Sequence, residues 1–79
     1  ILFNVLISVV GMVGILIFNG DRPDIALDNG TLYGGLHCGD CFQYYDGGWI
    51  DVRLEYADGW VLVCGKSYMP IQYGTPVNL

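Results

Sequence analysis

Apolar and charged residues alternate most regularly between Trp49 and Tyr56. Large apolar side chains occupy every second position and charged ones lie between them; the two sets are Ile50, Val52, Leu54 and Tyr56, and Asp51, Arg53 and Glu55. Successive side chains of a β-strand point to opposite faces of its sheet. This period of two therefore predicts a strand with one buried face and one solvated face.

Turn signals separate short apolar segments along most of the remaining chain; they are Asn19-Gly20, Asn29-Gly30, Asp46-Gly47-Gly48 and Asp58-Gly59. Such pairs favour two-residue hairpin turns, because both central positions of the turn take a positive φ. No segment after Gly20 has a helical period. The apolar segments predict strands over Leu16–Asn19, Asp24–Leu27, Cys41–Tyr45, Trp49–Tyr56, Trp60–Cys64 and Val77–Leu79.

With 79 residues, the chain is long enough for one small domain. The regular spacing of the turn signals predicts an all-β fold over residues 14–79. We expect a small antiparallel SH3-like or partly open β-barrel of about five or six strands. The predicted core consists of aliphatic and aromatic residues in or near the predicted strands: Ile15, Ile17, Ile25, Leu27, Leu36, Phe42, Ile50, Val52, Leu54, Val61 and Val63.

The N-terminal segment, residues 1–18, reads ILFNVLISVVGMVGILIF and carries no charge. As a helix it would be about 27 Å long, against roughly 30 Å for the hydrocarbon core of a bilayer, so one interpretation is a membrane anchor for an accessory protein. Eight of these residues are Val or Ile, which favours an additional strand instead. An apolar edge strand could also pair two chains into a homodimer. In both cases residues 1–13 are an extension that precedes the domain.

Composition and charge narrow the function classes. The chain is 53% hydrophobic, which excludes a disordered tail. Eight acidic residues against three basic ones give a net charge of −5. Proteins that bind nucleic acids neutralise phosphates with Lys and Arg, so this charge argues against a nucleic-acid partner.

Aromatic residues are the strongest candidates for a functional surface. Six Tyr, three Phe and two Trp are more rings than the core of a small barrel buries, so several must be exposed. Exposed Trp and Tyr dominate protein interfaces and line the peptide grooves of SH3-like barrels. We therefore expect a non-catalytic module, without a cofactor, that binds an unidentified protein or peptide partner. The expected binding patch contains Trp49, Trp60, Tyr44 or Tyr45, and Arg53.

Arg53 and Glu55 share the solvated face of the predicted strand, two residues apart. One interpretation is a surface ion pair, which contributes little to stability. The other is a polar recognition spot flanked by Trp49. The ion pair is the simpler of the two, because it requires no ligand.

The cysteines permit a metal or redox interpretation. Cys38 and Cys41 have C-x-x-C spacing, His37 adjoins them, and Cys64 is a third thiol, so a tetrahedral Cys₃His zinc site is one alternative. Adjacent residues of a strand point to opposite faces, however, so His37 and Cys38 would not easily reach one metal. A thiol redox site needs its C-x-x-C at a helix N-terminus, where no helix is predicted. We expect free, mostly buried thiols, no bound metal and a cytoplasmic location.

His37 could also act as a general base, with Asp40 close enough in sequence to orient it. No Ser or Cys around them forms the pattern of a catalytic triad or a nucleophile elbow. We therefore expect that the protein is not an enzyme.

Several segments in a fixed order resemble a known family: GILIFNGDRPDIALDNG (Gly14–Gly30), YGGLHCGDCFQ (Tyr33–Gln43), GGWIDVRLEY (Gly47–Tyr56) and GWVLV (Gly59–Val63). The combination resembles the DUF5348 family over about residues 14–79. Members of that family are small proteins of unknown function from Firmicutes, often carried on plasmids and other mobile genetic elements. The resemblance implies an accessory protein of a mobile element, and it implies no particular chemistry.

The chain departs from the family pattern at two points. Asp51 stands where relatives often carry Pro, and the final YGTPVNL lacks a basic residue that is common near the last strand. Neither departure changes the expected fold. The missing base would weaken a contact with an acidic ligand.

Overall fold

A computed structural model describes residues 13–79, which contain seven β-strands and no helix. The strands are β1 (Val13–Phe18), β2 (Pro23–Leu27), β3 (Cys41–Tyr45), β4 (Trp49–Tyr56), β5 (Trp60–Cys64), β6 (Ser67–Pro70) and β7 (Pro76–Asn78). All pairings are antiparallel, which confirms the predicted class. Five of the strands match a predicted strand to within one residue at both ends: β2, β3, β4, β5 and β7.

The strands form a single sheet in the order β2-β1-β7-β3-β4-β5-β6. The sheet is not closed into a barrel, so β2 and β6 are its edges. The segment 31–36 covers the β2 edge through backbone hydrogen bonds, among them Leu27 N–H to the Thr31 carbonyl at 2.8 Å and Tyr33 N–H to the Ile25 carbonyl at 2.8 Å. The other edge, β6, is four residues long and ends in Pro70, which has no N–H to offer a further strand.

β6 raises the strand count above the expected five or six. It pairs with β5 across the two-residue turn Gly65-Lys66, in which Gly65 has a φ of 63°. The sequence does not predict this hairpin, because its turn has neither of the Asn-Gly or Asp-Gly signals that mark the others.

One face of the sheet, called the core face, carries the hydrophobic core. Its buried side chains come from six strands: Leu16, Ile25, Phe42, Tyr44, Val52, Leu54, Leu62 and Val77. Leu36, from the connection between β2 and β3, is fully buried against them. Five of these nine core residues are predicted from the sequence: Ile25, Leu36, Phe42, Val52 and Leu54. Two further predicted residues, Leu27 and Ile50, pack at the margin of the core.

The predicted core is wrong for Ile15 and Ile17. The β1–β2 register pairs Leu16 with Ile25, so Leu16 lies on the core face and its two neighbours lie on the opposite face. Ile15 is exposed and Ile17 is half-buried. The same shift occurs in β5, where Leu62 enters the core and Val61 is half-buried on the other side.

Asp24 is a buried carboxylate, with 1% of its surface exposed. It accepts hydrogen bonds from the Ile25 N–H at 2.7 Å, the Gly34 N–H at 3.0 Å and the Asn19 side-chain amide at 3.0 Å. Burial alone raises the pKa of Asp24, but these bonds and one from the Gly35 N–H outweigh it and hold the pKa below its ordinary value. The carboxylate thereby joins the β1–β2 turn to the loop that precedes β3.

The structure also tests part of the predicted N-terminal helix. Residues 13–18 of that segment form β1, so the helix over residues 1–18 is wrong for them. Residues 1–12 of the interpretation lie outside the described residues. Within residues 13–79 no helix has the length and apolarity needed to cross a membrane.

Candidate functional site

The face opposite the core, called the open face, carries a row of apolar side chains that follows the register across five strands. Ile15 lies between Ala26 and Pro76 in the pairings of β1, and Tyr45 lies opposite Trp49. Tyr45 and Pro76 come one position after and one position before the paired residues Tyr44 and Val77, so the antiparallel register of β3 and β7 continues to them. We call this set the apolar row: Ala26, Ile15, Pro76, Tyr45 and Trp49. Ile15 is 39% exposed, and Tyr45 and Trp49 are each 45% exposed. The row therefore places a continuous apolar strip at the surface.

Tyr45 and Trp49 form the aromatic end of this row. They are directly paired across the β3–β4 hairpin, and their rings meet edge to face, with centroids 5.4 Å apart and planes at 77°. A hydrogen bond of 2.8 Å from the Asp46 N–H to the Gly48 carbonyl closes the turn between them. Such a ring contact contributes about 0.5–1.5 kcal/mol beyond area burial and fixes both rings. The pair is thus a preorganised aromatic surface.

A chain of polar side chains lies beside the apolar row on the same face. The Asn78 side-chain amide donates to Gln43 Oε1 at 3.2 Å, and Gln43 Nε2 donates to Asp51 Oδ1 at 3.4 Å. We call these three residues the polar row. Both amides donate in the same direction along it. At the Asn78 end of the row, Asn78 Oδ1 is buried and has no hydrogen-bond donor among residues 13–79.

Arg53 and Glu55 form the surface ion pair that is one of the two sequence interpretations. Arg53 Nε lies 2.6 Å from Glu55 Oε2, and the side chains are 47% and 33% exposed. Both residues follow Asp51 on the open face of β4, at intervals of two positions. The charge of Arg53 is therefore directed at Glu55.

A groove of about 520 Å³ lies over the polar row. Its lining includes Cys41, Gln43, Asp51, Arg53, Val63 and Asn78. Val63, predicted in the core, is only 6% exposed although its register partner is Arg53 of the open face. The groove thus combines an apolar patch with carboxylate, amide, guanidinium and thiol groups.

The structure brings together three of the five predicted patch residues: Trp49, Tyr45 and Arg53 lie on the open face. Tyr44 points to the core face, is 4% exposed, and accepts a hydrogen bond from the Gln72 N–H at 3.1 Å through its hydroxyl oxygen. It therefore cannot present its ring to a partner.

Trp60 lies apart from Trp49, on the core-face side of β5. Its ring packs edge to face on Tyr56, with centroids 5.0 Å apart, and the Arg22 guanidinium carbon lies 5.8 Å from the Trp60 ring centroid. The predicted patch is therefore wrong in grouping the two tryptophans. The alternation in β4 already indicates the face of Trp49. Trp49 lies an even number of positions from the charged residues of that strand, so it belongs to the same, solvated face.

The cysteine and histidine candidates lie in and around the turn before β3. All three cysteines are free thiols, but Cys38 and Cys41 are exposed and Cys64, at the end of β5, is half-buried, so the expected burial of the thiols is wrong. Asp40 caps this turn by accepting from the His37 N–H at 2.8 Å, and His37 Nδ1 lies 3.8 Å from the same carboxylate oxygen. Between residues 13 and 79, no three His, Cys, Asp or Glu side chains form a group that could hold a metal ion.

Comparisons with known proteins give one family model and one solved structure that are similar to this chain. The family model described as a domain of unknown function (DUF5348) matches residues 14–79. The crystal structure of a protein from Ruminococcus gnavus is similar, with 36% sequence identity and a TM-score of 0.73. That match covers 85% of this chain and 99% of the other chain. No curated protein matches the chain.

Proposed function

Since the chain belongs to the DUF5348 family, whose description assigns no function, we propose from the geometry of the open face that it is a non-catalytic protein-binding module. The observation that carries the proposal is the Tyr45–Trp49 pair. Both rings are held by their mutual contact, yet each remains 45% exposed. Rigid, half-exposed Tyr and Trp side chains bury much apolar area on binding and lose little conformational entropy.

The apolar row extends this aromatic pair across the open face. It continues from Trp49 through Tyr45 and Pro76 to Ile15 without a charged side chain in the register. Contiguous exposed apolar patches on small domains mark interaction sites more often than singly scattered apolar residues do. The edges of the sheet are poorer candidates, since the β2 edge is covered and the β6 edge ends in Pro70.

Charge favours a protein over a nucleic acid as the partner. Two of the three basic side chains of the chain contact carboxylates: Arg22 lies 3.1 Å from Asp21, and Arg53 lies 2.6 Å from Glu55. Binding of a phosphate backbone relies on Lys and Arg that are free to replace its counterions. Binding of a protein partner does not require free Lys or Arg side chains on the open face.

Two further parts of the proposal concern the setting of the protein. Exposed free thiols at Cys38 and Cys41 support a reducing compartment, and we place the protein in the cytoplasm. The family resemblance supports a role as an accessory protein of a mobile genetic element.

Affinity capture with matched variants tests the proposal. Tyr45→Ala and Trp49→Ala each remove one ring of the exposed pair, and Tyr56→Ala removes the tyrosine of the second edge-to-face pair, with Trp60, as the control. We expect one partner from a lysate of the source organism to bind the wild type and Tyr56→Ala, and not the other two variants. Titration with the purified partner should then show the same order. Equal capture by all four folded proteins would contradict the proposal.

A further inference from the structure

One carboxylate of the open face lacks a cationic partner within the described residues. Arg53 lies between Asp51 and Glu55 along the face of β4, and its guanidinium pairs with Glu55 at 2.6 Å. Asp51 is exposed and accepts from Gln43 at 3.4 Å, a long hydrogen bond from an uncharged donor. Asp51 therefore lines the groove without an ion pair of its own, while Arg53, which also lines it, is paired with Glu55.

The direction of the polar row shows what kind of group it can receive. Asn78 donates to Gln43 and Gln43 donates to Asp51, so both amides donate toward the Asp51 end of the row. The two ends are acceptors, namely the Asp51 carboxylate and the buried Asn78 Oδ1. A ligand that complements such a row supplies hydrogen-bond donors and positive charge.

The surroundings of Asp51 suit a long cationic side chain. The groove of about 520 Å³ holds the apolar Val63 beside its polar groups, and Val63 can pack against an aliphatic stem. Trp49 lies two positions before Asp51 on the same face of β4, with 45% of its surface exposed. An indole ring beside a carboxylate attracts an ammonium or guanidinium group by cation–π interaction and ion pairing together.

We propose that the groove binds a lysine or arginine side chain from an extended segment of a partner protein, with Asp51 as its counter-ion and Trp49 beside it. This inference rests on the proposed function and adds the chemistry of the partner. The stem of the bound side chain lies over Val63, its nitrogen donates to Asp51, and neighbouring residues of the partner follow the apolar row.

Selection of peptides on the full chain tests this assignment. A random peptide library displayed on phage is selected against the immobilised protein, and the selected peptides are synthesised and titrated into ¹⁵N-labelled protein. We expect enrichment of Lys or Arg, and shifts of the Gln43, Asp51 and Asn78 amides and the Trp49 indole. Asp51→Asn, or norleucine in place of the peptide lysine, should weaken binding about three- to tenfold. Asp58→Asn changes the same charge in the β4–β5 turn and should leave binding unchanged.

The possible contrary results separate this inference from the proposed function. Binding that depends on Trp49 but needs no Lys or Arg in the peptide would contradict the proposed basic ligand, as would equal binding to the wild type and Asp51→Asn. The proposal of a protein-binding module would stand in either case. If no selected peptide depends on Tyr45 or Trp49, and lysate capture is also unaffected by them, both proposals fail. Shifts of the same amides on raising the protein concentration alone would assign the face to a second copy of the chain and overturn the inference.

Discussion

Gly14 of β1 lies so close to Ile25 of β2 that a Cβ added at Gly14 would come within 2.5 Å of Ile25 Cγ2. The same added atom would lie 2.6 Å from the Ala26 carbonyl oxygen. Ile25 is fully buried and the Ala26 carbonyl belongs to the backbone of β2, so neither atom can move away without repacking the hairpin. The absence of a side chain at Gly14 thus sets the spacing between β1 and β2.

Gly14→Ala should therefore destabilise the domain by overpacking. We expect a loss of about 1–3 kcal/mol in the free energy of unfolding, and a Tm lower by roughly 5–20 °C. Thermal unfolding followed by circular dichroism measures it. Gly48→Ala is the matched control, because an added Cβ there meets no atom within 4 Å and the φ of Gly48 is not positive. Equal Tm values for the two variants would contradict the packing argument.

Asp24→Asn should reduce stability in a pH-dependent manner. The folded state holds the Asp24 pKa below its ordinary value of 3.8, so its stabilisation is complete above that pH and is lost as the pH falls through the lower folded pKa. The variant should be less stable by about 1–3 kcal/mol at pH 7, because its amide replaces a buried anionic acceptor. The difference from the wild type should shrink as the pH falls below about 4 and the Asp24 carboxylate of the folded wild type becomes protonated.

Urea unfolding midpoints at several pH values measure this effect. Asp28→Asn changes an exposed carboxylate in the turn after β2 and serves as the control. A difference between wild type and Asp24→Asn that stays constant from pH 7 to pH 2 would show that the ionised carboxylate is not the stabilising form.

Tyr44→Phe tests the hydrogen bond that connects β3 to the segment between β6 and β7. Removal of the hydroxyl leaves the Gln72 N–H without its acceptor, and Thr75 Oγ1 loses a contact of 3.5 Å to the same oxygen. The ring itself stays in the core. We expect a loss of about 1–2 kcal/mol in the free energy of unfolding and faster amide hydrogen exchange at Gln72. Tyr68→Phe, at a residue with 67% exposure, should change neither quantity.

Asp58 is the one residue other than glycine that has a positive φ within residues 13–79, with a value of 59°. This left-handed conformation is strained for most side chains and is least costly for Gly, Asn and Asp. Asp58→Ala should therefore lower stability by about 1 kcal/mol, whereas Asp58→Gly should be close to neutral. Chemical denaturation of both variants decides the point. If alanine were tolerated as well as glycine, the turn would not require the left-handed conformation.

The sequence predicts β4 well because both of its signals are present there. Apolar and charged residues alternate from Ile50 to Glu55, and an Asp-Gly pair marks the turn that follows. The faces of β1 cannot be predicted in the same way, because Ile15, Leu16 and Ile17 are all apolar. Only the register with β2 decides that Leu16 is buried.

The candidate site is predictable in part for the same reason. Trp49 alternates in step with the charged residues Asp51 and Arg53, which places it on the solvated face of the strand. Tyr44 and Tyr45 are adjacent and identical, so local pattern does not say which ring is exposed. The polar row cannot be predicted from the local sequence pattern. Asn78 and Gln43 are 35 residues apart in sequence and come into contact only because β7 pairs with β3.

The position of β7 also bears on how the molecule is made. This strand is the last of the seven in sequence, yet it lies between β1 and β3 and supplies the backbone pairing that connects the β1–β2 hairpin to β3. On the ribosome, the two parts of the sheet must therefore wait for residues 76–78 before they can join. A chain that stops before Pro76 should therefore be digested readily by protease, whereas a chain that includes residues 76–78 should be resistant.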